Sequence, residues 1–147
     1  MRFEDPPPEP LASAPGFLLS WNGQRIARSF AAALEPLGLR PPHFGVMTLI
    51  EANPGSAQRE LVERSMIDAS TMVALIDELE ERGLAERRPD PADRRKRAVY
   101  LTPGGKRTLE RARTAAIETA RAVFDPLDQR ELETLTKLLR KLAGAGA

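Results

Sequence analysis

Residues 56–102, SAQRELVERSMIDASTMVALIDELEERGLAERRPDPADRRKRAVYLT, constrain the fold more than any other part of this chain. Two short helix patterns stand side by side in it. Pro54-Gly55 breaks the chain, and Ser56 is the residue type that caps the first of them, a short helix with Leu61 and Val62 as its large apolar residues. The second starts at Asp68, an N-cap flanked by Ile67 and Met72 at staple spacing. Met72, Leu75, Ile76 and Leu79 recur at helical spacing and predict one buried face, and Gly83 ends the helix. Joined by residues 65–67, the pair matches a helix-turn-helix, whose second helix can lie in a DNA major groove.

A hairpin follows at once. One short strand is expected over 84–88 and another over 96–102, with Val99 and Leu101 on one face and Ala98 and Tyr100 on the other. Pro89, Asp90, Pro91 and Asp93 form the loop. Arg87, Arg88, Arg94, Arg95, Lys96 and Arg97 crowd this hairpin against only two acids, Asp90 and Asp93. Packing so much positive charge together is costly unless a polyanion or nearby carboxylates offset it. Helical bundles also contain paired helices, and arginine runs also form solvated loops. The two features in succession point to nucleic acid more strongly than either alone.

The rest of the composition narrows the class. The chain has 147 residues, enough for one domain with a real core, and a formal net charge of +1, so attraction to a polyanion must come from a local patch. It contains no cysteine, which excludes disulfides, a thiol nucleophile and thiol redox sensing. His43 is the only histidine, so no metal site and no cofactor is expected. No glycine-rich phosphate loop and no carboxylate pair in a recognisable setting marks a catalytic site, and the chain reads as a non-enzyme. Without an apolar run of membrane-spanning length or a secretory leader, the expected location is cytoplasmic, with no membrane partner.

In chain order, residues 1–15 carry five prolines among acids and are expected to form a flexible tail, either a solvated leader or a functional arm. A helix is expected from about Gly16 to Leu37. Its apolar stripe includes Phe17, Trp21, Ile26, Phe30 and Leu34, and is wide enough to meet a partner as well as its own domain. A second helix is expected from Pro42 to Ala52 with His43, Val46, Met47 and Ile50 on one side. Thr102 and Pro103 are placed as N-cap and first residue of a long helix to about Phe124. Leu127, Asp128 and Glu131 supply staple, cap and capping-box partner for a last helix. There, Leu132, Leu135, Leu139 and Leu142 form a seam that needs another helix to cover it, from the same chain or from a second copy.

QRELVER at 58–64, IDAST at 67–71, LIDELEERGLAERRPDPADRRKR at 75–97 and LTPGG at 101–105 make the chain resemble the MarR family of winged helix-turn-helix regulators, over nearly its whole length. The resemblance implies a mainly α fold with a small β-hairpin wing: a single domain over 16–147, with 16–40 and 103–147 as dimerisation helices and 41–102 as the winged helix-turn-helix. It implies a homodimer on an inverted-repeat operator in double-stranded DNA, commonly a repressor, released by a small aromatic or anionic effector. The DNA-contacting residues would be Ser56, Gln58, Ser70, Thr71, Arg88, Arg94, Arg95 and Arg97, with Arg95 the match to the arginine the family inserts in the minor groove. The effector would meet Trp21, His43 and Met47; the alternatives are core or interface packing for Trp21 and a structural role for His43. The chain departs from the family pattern at Met66, Val73, Ala74 and Glu78, where small, polar or basic residues are common. Those departures support a competing reading, a winged-helix module that binds protein and not specific DNA.

Overall fold

The computed structural model describes residues 5–146; residues 1–4 of the expected tail, and Ala147, lie outside them. Nine regular elements follow in order: α1 (Pro15–Leu34), α2 (Pro41–Ala52), β1 (Ser56–Ala57), α3 (Gln58–Glu63), α4 (Ala69–Glu81), β2 (Ala85–Pro89), β3 (Arg97–Leu101), α5 (Pro103–Phe124) and α6 (Gln129–Leu142), with single 3-10 turns at Leu11–Ser13 and Glu35–Leu37. The chain is mainly α with a small antiparallel sheet, as expected. It divides into two compact units, 30–116 and a second made of 1–29 with 117–147.

The 30–116 unit holds the winged helix-turn-helix. Met47, Leu61, Met72, Ile76, Leu79 and Val99 are completely buried at its centre, so α2, α3, α4 and the sheet share one core. The α4 signals act as the sequence predicts. Asp68 caps the helix, Ile67 packs partly buried against the core, and Gly83 leaves it at φ +68°. Where the sequence leads to a two-stranded hairpin, the sheet has three strands in the order β1-β3-β2. Ser56 pairs with Val99 and Ala57 with Ala98. The expected cap at Ser56 is therefore absent: that residue is extended and 6% exposed, and α3 begins after Ala57 without a side-chain cap. Ala98 is buried as well, although it lies on the face opposite Val99.

The wing is tied back to the long helix. Thr102 Oγ1 accepts the Gly105 N–H at 2.9 Å and donates to the Gly83 carbonyl at 2.6 Å, capping α5 and fixing the exit of α4 together. Gly105 is required there by space, because a Cβ would lie 1.9 Å from the Leu84 carbonyl oxygen.

In the second unit, α6 has the capping box that the sequence predicts. Asp128 Oδ1 accepts from the Glu131 N–H at 2.8 Å, and Glu131 Oε2 accepts from the Asp128 N–H at 2.9 Å. Arg140 and Lys141 stand in its last turn, where positive charge suits the helix dipole. No α6 residue is buried; Leu138 is 53% and Leu142 76% exposed. An apolar groove of about 810 Å³ runs along this unit, lined in part by Leu18, Leu19, Ile26, Phe124, Leu135 and Leu138.

Candidate nucleic-acid interface

The first turn of α4 is organised by one carboxylate. Asp68 Oδ1 accepts the Thr71 N–H at 2.9 Å and the Ser70 hydroxyl at 2.7 Å, while Oδ2 accepts the Thr71 hydroxyl at 2.7 Å. These bonds, the Thr71 backbone N–H foremost and then the two hydroxyls, hold the Asp68 carboxyl down at about 2. Ser70 and Thr71 are both exposed, as their expected role needs, and both hydroxyls are already donating.

Arg87, at the middle of β2, is largely withdrawn from solvent. Its side chain is 15% exposed. Nη1 meets Asp77 Oδ1 at 2.6 Å and also Glu80 Oε1. Nε and Nη2 donate to Gln58 Oε1 at 3.0 and 2.8 Å. One guanidinium thus joins α3, α4 and β2. Gln58, expected at DNA, accepts two hydrogen bonds from inside the protein. Arg88 is exposed but engaged, with Nη2 on Glu86 and its guanidinium carbon 4.6 Å from the centre of the Tyr100 ring.

The tip differs. Asp93 Oδ1 accepts the Arg95 N–H at 3.0 Å, and Asp90 Oδ1 accepts the Ala92 N–H at 2.9 Å, so both acids spend themselves on shaping the turn. The backbone closes with Asp90 N–H on the Lys96 carbonyl and Lys96 N–H on the Asp93 carbonyl, each at 3.0 Å. Arg94, Arg95, Lys96 and Arg97 are exposed, and among the described residues no side chain pairs with theirs.

The expected effector residues are not gathered in one unit. Trp21 lies in the unit with α6, buried, its ring 5.7 Å from that of Phe17. Met47 is wholly inside the core of the other unit. His43 is buried beside it on α2; its Nδ1 accepts the Arg40 N–H at 3.0 Å, and its Nε2 stands 2.5 Å from Glu78 Oε2 on α4. With Nδ1 accepting, the neutral ring carries its proton on Nε2, facing the carboxylate. The hydrogen bond from His43, helped by the one from Arg40 at 3.0 Å, pulls the Glu78 carboxyl below its usual range. An open cleft of about 600 Å³ borders this cluster, with Glu35, Arg40, Glu81 and Arg82 on its walls.

The pairing of Arg87 escaped the sequence reading. One signal for it was present: Asp77 and Glu80 are three apart on α4, on the side that the next strand must pass. The His43–Glu78 contact had none, since it joins residues 35 positions apart.

The known proteins this chain resembles agree with this architecture. A model of the MarR family matches residues 37–96. The chain is 33% identical over 107 residues to transcriptional regulator HosA of Escherichia coli O111:H-, covering 73% of this chain and 79% of that one. Among solved structures, the transcriptional repressor CouR bound to a 23-mer DNA duplex matches with a TM-score of 0.80 at 32% identity, over 92% of this chain and 96% of the other. CouR from Rhodococcus jostii RHA1 bound to p-coumaroyl-CoA matches with a TM-score of 0.76 at 31% identity, again over 92% and 96%. By sequence and by fold, the chain belongs to the MarR family of transcriptional regulators.

Proposed function

We propose that this protein is a sequence-specific DNA-binding repressor that works as a homodimer on an inverted-repeat operator and is released by a small aromatic or anionic ligand. The observation that carries the reading is the wing tip. Four cations stand there exposed and, among the described residues, without a side-chain partner, while Arg87 and Arg88 at the root of the same hairpin are held by the protein's own acids. A net excess of exposed positive charge on one turn is an electrostatic footprint for phosphate. Arg94, Arg95 and Arg97 would contact the backbone and minor groove, with Ser70 and Thr71 reaching the major groove from α4. That CouR, a repressor of similar fold, is found bound to a 23-mer DNA duplex supports DNA as the partner.

The dimer reading rests on α6 and its groove. A second copy of the chain supplies the apolar helix face that Leu138 and Leu142 lack, and sets two α4 helices about one DNA turn (~34 Å) apart. The effector reading draws on the CouR complex with p-coumaroyl-CoA, a ligand both aromatic and anionic. His43 is the candidate effector contact tied to the recognition helix, since its Glu78 bond leads directly to α4. Among the described residues no helix is long and apolar enough to cross a membrane, in keeping with a protein that meets DNA in the cytoplasm.

The test is fluorescence anisotropy with the DNA upstream of the protein's own gene, run over a series of salt concentrations. Saturable binding that outlasts competitor DNA and weakens steeply with salt is the expected result. Binding indistinguishable from that to random duplex would favour the protein-interaction module, to which the uncharged and acidic exposed side of α4 also lends itself.

A further inference from the structure

The α4 helix, ASTMVALIDELEE, contains no lysine or arginine. It therefore cannot make the bidentate cation contact by which guanine is most often read. Its polar front end is restricted too. The one proton of the Ser70 hydroxyl and the one proton of the Thr71 hydroxyl both point to Asp68, at 2.7 Å each. Outward, those hydroxyls present lone pairs alone, so they accept hydrogen bonds from a base and donate none. The next turn is apolar: Val73 is 38% exposed, with Ala74 exposed beside it. Of the acids further along, Asp77 and Glu80 face Arg87, and Glu78 faces His43 and Arg40.

From these placements we infer that α4 reads A·T pairs, its Ser70 and Thr71 oxygens accepting from the adenine amino group while Val73 and Ala74 pack on the thymine methyl. Only an A·T pair carries both an amino donor and a methyl on its major-groove edge; a G·C pair offers the donor without the methyl. Val73 is thereby the specificity-determining residue of the helix. This inference rests on the proposed DNA binding and adds what the helix recognises.

The two can be tested separately. Duplexes are selected by the full-length protein from a random pool, and each thymine of the selected half-site is replaced in turn by uracil. The change removes the C5 methyl in the major groove and leaves pairing and the minor-groove edge seen by the wing intact. The expected result is one or two positions per half-site where uracil weakens binding about fourfold, the value of one buried methyl. In Val73→Ala the thymine-to-uracil ratio at one of those positions is expected to fall to about one, so that the two changes are coupled and not additive. Selected half-sites with G·C under α4, or uracil tolerated at every position by the wild type, would overturn the inference while leaving DNA binding standing. No binding to any duplex would overturn both.

Discussion

The root and the tip of the wing carry the same residue type in one hairpin, yet they do opposite work. At the root, Arg87 is 15% exposed and shared among Asp77, Glu80 and Gln58. At the tip, Arg94, Arg95 and Arg97 have no side-chain partner among the described residues, and Asp90 and Asp93 accept backbone N–H groups of the turn instead. Counting charge along the sequence merges the two sets. The difference lies in what passes beneath them. β2 runs over the acidic side of α4, whereas the turn extends past it. Six cations thus divide into two engaged by the protein's own side chains and four with no side-chain partner among the described residues.

The comparison can be broken at several points. The largest effect is expected from uncoupling the two tips of a dimer. Leu138→Glu places a charge on a residue already 53% exposed in the single chain, so the protomer should stay folded while the dimer dissociates in sedimentation equilibrium. An unchanged dimer would remove α6 from the interface. Next comes Arg87→Ala, which strips charged hydrogen bonds from three elements at once. A loss of about 2–3 kcal/mol in denaturant unfolding is expected, with weaker DNA binding following from the looser wing. An unaltered unfolding midpoint would mean that the root is not structural. Arg95→Ala should be nearly silent in stability, within about 0.5 kcal/mol, and should lower the salt slope of DNA binding by about one unit.

The smallest effect is one of pH. The Asp68 carboxyl is held near 2 in the folded chain, below its ordinary 3.8. Its capping therefore stabilises α4 fully above about pH 4 and is lost as pH falls toward 2. Asp68→Asn keeps an acceptor for the Thr71 N–H without the titration. Melting temperature followed from pH 5 to pH 2 should fall less steeply in that variant; parallel curves would show that the cap carries no pH dependence.

What the sequence revealed and what it hid divide along the range of the contacts. Asp68 to Thr71, Asp128 to Glu131 and Thr102 to Gly105 each span three residues, and residue type at fixed spacing identifies them without a fold. The exposed tip of the wing was nearly as legible, although Pro89, expected in the loop, is the last residue of β2 and pairs with Arg97. β1 was not, because two residues carry no period, and the Pro54-Gly55 break before Ser56 suits a helix start as well as a strand. The placing of Gln58 under Arg87 depends on chain 29 positions away, and Met47, a candidate effector contact, is wholly buried in a core assembled from several elements. Local rules located the recognition helix and the cations. Deciding which cations were free required the fold.

That division is tested most directly by measuring salt slopes side by side for the wild type, for Arg94→Ala/Arg95→Ala/Arg97→Ala, and for Arg87→Ala, on one duplex. Loss of three backbone contacts at the tip should lower the slope of log K against log salt by about 2.7 units, and Arg87→Ala should leave it unchanged even where affinity falls. A slope unmoved by the triple substitution, or lowered by Arg87→Ala to the same degree, would contradict the account.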